Sequence, residues 1–486
     1  MIDKIKELEK ISRLLEPSPE QRKLLLEKAV NYSEEFLNSL SNNKTYNKSE
    51  DKGKAIFNFE VNDSTNNITD VLSILKQNVD TPGINPASGG HLGYIPGGGI
   101  WHSALGDFLA DITNRYAGVF FASPGAVRME NHLLNWMAEI IGYPKSSGGN
   151  LTSGGSISNL IAIVAARDAF KIKSKEVEKC VVYYTAQTHH SIEKSLRIAG
   201  LHECIKHFIP IDGKFKMNVD ELESSIKKDR QAGLKPWLII SSAGTTDVGA
   251  IDPLDEIGNI ADKHNLWHHI DAAYGGFFIL SESGKELLNG LNNSDSIVMD
   301  PHKGLFLPYG SGAVLIKDKK LLYKAFSYQA GYMQDALAQN EELSPADLSP
   351  ELSKHFRGLR LWLPLMLLGT NPFSAALEEK IQLARYTYSK LSEFKNIELG
   401  PQPQLSVVTF RIVPPEGDAN IFNKKLLEEI HKDGRVFLSS TVLNGKFILR
   451  MAILSFRTHL KEIDLALEII KEKMKLLMKQ ASLSTK

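Results

Sequence analysis

One lysine in this chain stands where it could act as a nucleophile. Between Ser296 and Ile316 an apolar run (Ile297, Val298, Met299) stops at Asp300-Pro301, His302 and Lys303 follow, and a second apolar run begins at Ala313. Two short strands joined by a Gly/Pro-rich turn would present Lys303 at the tip of a rigid scaffold. A lysine held there and partly shielded from water can form a Schiff base with an aldehyde. The other reading is a surface lysine in a β-turn, since lysines are mostly exposed. The rest of the chain separates the two.

Four further features bear on that choice. Leu151 to Ser156 joins a Gly154-Gly155-Ser156 turn to a helix with Ile157, Leu160, Ile161 and Val164 on one face. Free N–H groups and the helix dipole at that turn make an anion site, most naturally for a phosphate; an ordinary Thr/Ser cap is the alternative. No Walker lysine follows and no Gly-x-Gly-x-x-Gly occurs, which speaks against a nucleotide. Asp271 ends a strand and is followed by small residues including Ala272 and Ala273. Its carboxylate could pair with a protonated ring nitrogen while the small residues admit a flat ring, or it could cap the next turn. His189 leaves a strand and enters a helix, where it could stack on an aromatic cofactor or move protons. The pairs His189-His190 and His268-His269 make no metal site, because adjacent side chains should diverge and no supporting ligand spacing exists. Ser241 to Thr246 ends a strand with hydroxyls suited to a ring hydroxyl or a phosphate. Together these supply a phosphate cradle, a ring-nitrogen carboxylate, a stacking group and an aldehyde-binding lysine, the set that pyridoxal phosphate needs.

The elements that must position them follow from the hydrophobic pattern. With 486 residues the chain has room for two or three domains. Residues 1–87 read as a helical segment, with Ile5, Leu8, Ile11 and Leu15 on one stripe and Leu24, Leu25, Ala29 and Val30 continuing it. From about residue 150, short β-branched or aromatic runs (181–185, 237–242, 266–271, 297–300) alternate with helices such as 220–228 and 254–264. That is the βαβ signature of a mainly parallel sheet sandwiched by helices, an α/β unit placed at 88–368. Residues 88–99 are rich in glycine, and Gly97, Gly98 and Gly99 mark either close backbone approach or an adaptable loop. A long loop is expected between Ser327 and Leu352. Residues 369–486 read as a smaller α+β unit, with a two-residue hairpin turn at Asn444-Gly445.

Composition excludes other classes. Basic and acidic side chains number 57 each, so no nucleic-acid surface or basic membrane patch is expected. The two cysteines, Cys180 and Cys204, form no disulfide framework and suit a reducing cytoplasm. The N-terminus has no signal-peptide pattern, and the apolar stretch 359–368 is too short to span a bilayer.

From about Gly93 to the last helix, the chain resembles the group II pyridoxal-phosphate-dependent amino-acid decarboxylases of fold type I. The resemblance is carried by Asp300-Pro301-His302-Lys303, His269 to Tyr274, Gly244-Thr245-Thr246 and the Gly154-Gly155-Ser156 turn. It implies that Lys303 holds the cofactor as an internal aldimine and that Asp271 pairs with the pyridinium nitrogen. His189 would stack on one ring face and the Ala273 methyl would lie on the other. Gly154, Gly155 and Ser156 would hold the phosphate, with Thr246 and His302 completing the shell. The implied reaction is α-decarboxylation of an L-amino acid, aromatic or related, to its amine. The implied assembly is a homodimer with the active site between subunits, the N-terminal helices wrapping the partner and Phe120 to Glu130 at the interface. Two positions depart from the aromatic-amino-acid members. Pro345 stands where they carry a loop tyrosine that reprotonates Cα (Tyr332 lies nearer the start of the loop), leaving His189 as a candidate donor and an aldehyde as an alternative product. Gly304 replaces a large aromatic. A carbon–carbon lyase like sphingosine-phosphate lyase, or a non-catalytic cofactor-binding protein, are the competing functions.

Overall fold

A computed structural model describes residues 1–327 and 342–484, the last four by backbone alone. Its main sheet has seven strands: β1 (Gly148–Thr152), β2 (Cys180–Tyr184), β3 (Ile205–Phe208), β4 (Lys235–Ser242), β5 (Trp267–Asp271), β6 (Ser296–Met299) and β7 (Gly312–Ile316). Their order is β1-β7-β6-β5-β4-β2-β3. Only β7 runs against its neighbours. All four strand runs expected from the β-branched pattern lie in this sheet. Its middle strands read as nearly continuous apolar runs because both faces are covered. Val181, Tyr183 and Ile239 pack on one side with Leu222, Ile226 and Ile257 of the helices Val219–Gln231 and Leu254–His264. Val182, Tyr184, Leu238 and Ile240 face the other side, against Ile161 and Ala165 of Gly155–Ala169 and Leu196 of Ser191–Ile198. Each such buried side chain contributes about 1.5–3 kcal/mol before ordering costs.

The six parallel strands all end at one edge, and the loops leaving that edge carry the chemistry. This is where open α/β sheets collect ligands. The strand β1 is fastened from beneath by a fully buried amine. Lys354 Nζ lies 2.7 Å from Glu130, 2.9 Å from Asn150 Oδ1 and 2.9 Å from the Leu151 carbonyl. Glu130 in turn accepts the Leu151 N–H at 3.0 Å.

A five-stranded sheet forms the core of the C-terminal part, in the order Ile397–Leu399, Val407–Ile412, Lys446–Ala452, Phe437–Leu443, His91–Leu92. The hairpin turn falls at Asn444-Gly445, both with positive φ, and Leu443 pairs with Lys446. The fifth strand comes from far upstream: His91–Leu92 pairs in parallel with Phe437–Leu438. The segment expected to open the large unit at residue 88 therefore runs along the smaller sheet.

The helices Ile2–Ser12 and Pro19–Ser39 bury none of their residues in the single chain. No helix among the described residues is long and apolar enough to cross a membrane. Tyr332 and most of the loop expected between Ser327 and Leu352 lie outside the described residues.

Candidate active site

Lys303 sits on one helical turn, Pro301–Gly304, between β6 and β7. The Gly/Pro-rich turn expected from sequence is thus helical up to Gly304, and Pro301 starts it because a proline at the first helical position loses no hydrogen bond. The N–H groups of Lys303 and Gly304 close on the Asp300 carbonyl at 2.9 and 3.1 Å. The Lys303 amine lies 3.1 Å from the Asp300 carboxylate, which is almost fully buried. Asp300 Oδ1 has no partner. His302 is anchored twice to Ser311: its N–H donates to the Ser311 carbonyl at 3.1 Å, and its Nδ1 lies 2.5 Å from the same oxygen.

The loop Gly97–Gly99 braces this turn. A Cβ on Gly97 would meet the His302 carbonyl oxygen, so of the two glycine readings the structure gives close approach. Gly304 packs on Phe277, where an added Cβ would come within 2.7 Å of the Phe277 Cβ. The missing aromatic at 304 therefore leaves a packed contact inside the protein, and Gly304 does not line the cavity.

Lys303 opens into a cavity of about 260 Å³ that gathers every residue expected at the site: Gly154, Gly155, Ser156, His189, Thr246, Asp271, Ala273 and His302. Gly154 caps the helix Gly155–Ala169 at φ 150°. The N–H groups of Gly155 and Ser156 open that helix and have no intrahelical acceptor. A Cβ on Gly155 would come 3.0 Å from Asp300 Oδ2 and 3.2 Å from the Ala273 methyl, so only glycine leaves this cradle open. Asp271, 8% exposed at the end of β5, accepts the Ala273 N–H at 3.2 Å and an Asn159 amide N–H at 3.0 Å. Burial holds the His189 and His302 imidazoles below the usual histidine range, with carboxylates nearby opposing that trend. The His189 and His190 rings do not diverge as expected; their centroids are 4.0 Å apart. Among the described residues no group of three or more His, Cys, Asp or Glu side chains could hold a metal ion.

Several members of the site escaped the sequence reading. Asn159 and Ser191 line the cavity and tie Asp271 to its surroundings. Arg450, reaching across from the smaller sheet, donates to the carbonyls of Thr246 and Asp247 and to Ser439 Oγ, and so fixes the loop that carries Thr246. A polar residue inside an otherwise apolar helix face is the signal that could have found Asn159. Pro345, at the position of the expected loop tyrosine, is buried outside the cavity, and its carbonyl accepts from Asn150 at 2.9 Å.

A lysine facing an anion cradle and a carboxylate at the ends of parallel strands defines an enzyme built around an aldehyde cofactor bearing a phosphate. The particular family follows from comparison: the chain belongs to the pyridoxal-dependent decarboxylases, whose conserved domain matches residues 52–413. The aromatic-L-amino-acid decarboxylase of Bacillus atrophaeus is 36% identical over 76% of this chain and 78% of that protein. The phenylacetaldehyde synthase of Arabidopsis thaliana is 30% identical over 76% of this chain and 79% of that protein. In fold, the Oryza sativa TDC solved with PLP and tryptamine superposes with a TM-score of 0.89, at 24% identity over 95% of this chain and 99% of that one. The fold is accordingly that of the fold type I enzymes, and the protein is a pyridoxal-phosphate-dependent carboxy-lyase.

Proposed function

We propose that this chain removes the α-carboxylate of an L-amino acid, aromatic or related, and releases the amine, with Lys303 as the cofactor's anchor. The observation that carries this reading is the placement of Lys303, Asp271 and the Gly154–Ser156 turn around one cavity of suitable size. Pyridoxal phosphate, when bound, supplies the electron sink for the electrons left behind as carbon dioxide departs.

The chain's own residues do the rest. Gly154, Gly155 and Ser156 hold the phosphate with bare N–H groups at a helix start. Asp271 holds a proton on the ring nitrogen, and its carboxylate is fixed for this by two donors. His189 covers one face of the ring and Ala273 the other. Thr246 and His302 complete the shell. Lys303 is held by Asp300 when its amine carries a proton and is free of the cofactor. His189, whose charged form burial disfavours, offers a ring nitrogen to the cavity and is the proposed proton donor to the substrate carbon, a role it fills as the imidazolium.

Aldehyde formation is the second reading, supported by the absence of a proton donor at Pro345 and by the similarity to an aldehyde synthase. Product analysis separates the two: amine and carbon dioxide alone support simple decarboxylation, whereas aldehyde, ammonia and hydrogen peroxide formed beside the carbon dioxide, with uptake of one dioxygen that takes the two electrons, support the alternative.

A homodimer is part of the proposal. Ile5, Leu8 and Ile11 are each more than half exposed on one stripe, and Phe121 and Ile112 are similarly bare. Such surfaces need a cover. A monomer with full activity in light scattering would overturn this assembly. A cytoplasmic location is proposed from the two buried, unpaired cysteines.

A further inference from the structure

Asn159 is 1% exposed and makes three hydrogen bonds that allow one orientation of its amide. One Nδ2 proton goes to Asp271 Oδ2 at 3.0 Å and the other to Ser191 Oγ at 3.0 Å. Its Oδ1 lies 2.9 Å from His269 Nε2 and must accept a proton from it. His269, whose burial lowers its pKa to about 4, is neutral, so its Nδ1 accepts from Ser296 Oγ at 2.8 Å. Ser296 in turn accepts the Trp267 indole N–H at 2.8 Å. Every donor in this chain of bonds is thereby assigned.

The chain ends on His189. Ser191 Oγ lies 2.7 Å from His189 Nδ1, and because the backbone N–H of the same residue makes that nitrogen an acceptor, the hydroxyl proton goes to it. The Ser191 backbone N–H also points at that nitrogen, at 3.3 Å. A nitrogen receiving two donors is an acceptor, which leaves the imidazole proton on Nε2.

We infer that Asn159 is a positioning residue that aims Asp271 with one amide proton and, through Ser191, locks His189 in the tautomer whose proton sits on Nε2. One side chain on the helix after the phosphate cradle thus sets two groups that would act on one cofactor ring. The inference rests on the roles proposed above for His189 and Asp271, but the bonds themselves do not depend on them.

The test is nitrogen-15 NMR of histidine-labelled protein, with the His189 signals identified by their loss in His189→Asn, followed by kinetics. Wild-type protein should show the Nε2–H tautomer at His189. Ser191→Ala and Asn159→Ala should lose it, and Ser191→Thr, which keeps the hydroxyl, should recover it. Turnover in Ser191→Ala should fall at least tenfold in kcat with little change in KM. Asn159→Ala should lose on the order of 10²-fold, as misplaced groups do, and should also release the cofactor faster because Asp271 has lost a donor. An Nδ1–H tautomer in the wild type, or an unchanged tautomer in both alanine variants, would overturn the inference. The wild-type spectrum decides even if a variant fails to fold. An intact Nε2–H tautomer in a protein that releases no carbon dioxide would support the network and count against the proposed reaction, so the two can fail separately.

Discussion

Gly97 and His302 touch through their backbones: a Cβ added to Gly97 would lie 2.1 Å from the His302 carbonyl oxygen. The residue before Lys303 is thus braced by a segment some 200 positions upstream. The same segment is tied to the C-terminal part, since the Arg457 guanidinium donates to the Gly98 carbonyl at 2.8 Å. Gly97→Ala must therefore displace backbone, not a flexible side chain. We expect a loss of about 1–3 kcal/mol of stability, as for other overpacked sites, together with faster loss of cofactor. A melting temperature and cofactor retention equal to wild type would show that the brace is slack.

Asp271 makes a second prediction. Asp271→Asn keeps the shape and removes the charge proposed to keep the ring nitrogen protonated. The cost should be several kcal/mol in the transition state, on the order of 10³-fold in kcat. Turnover near the wild-type rate would mean that the ring-nitrogen role belongs elsewhere.

The buried histidines predict how stability changes with pH. Burial lowers His91 and His269 to about 4 and His268 to about 3, against an ordinary 6.5. In the window between those values the unfolded chain binds more protons than the folded one, so stability falls as pH falls. Asp252, raised to about 6 by burial, works in the opposite direction because its folded form takes a proton first. Asp295 and Asp347 are raised by burial as well, but His189, His302 and His431 are lowered by it, so six histidines outweigh three aspartates. The urea midpoint should be highest above about pH 6.5 and decline steadily toward pH 4; a midpoint that rises on acidification across this window would refute the assignment.

Much of this site could be read along the sequence because each piece announces itself locally. Asp271 and Lys303 follow apolar strand runs, and Gly154-Gly155-Ser156 precedes an apolar helix; strand ends and helix starts are local properties. Their convergence needed only a parallel sheet, and the alternation of strands and helices supplied that. Asn159 and Ser191 were not legible in the same way. Their role comes from sheet order and helix placement, which bring positions 32 residues apart to 3.0 Å. Arg450 was hidden for a similar reason, since its partners at Thr246 and Asp247 lie across the boundary between the two sheets. What the exchange at Gly304 does was not legible either, because it depends on the backbone turning that residue toward Phe277 and away from the cavity. Sequence alone gives a Gly/Pro-rich turn at Pro301–Gly304 and not its helical character, because four residues are too few to show a helical period.

The central claim is that Lys303 anchors a cofactor with which this chain decarboxylates an amino acid. Its most direct test is carbon dioxide release from a panel of L-amino acids by the cofactor-loaded protein, with Lys303→Ala measured beside it. The account predicts release from at least one aromatic or related amino acid, and both that release and the visible absorbance of the bound cofactor lost in the variant. Cofactor bound at Lys303 with no carbon dioxide released from any member of the panel would contradict it.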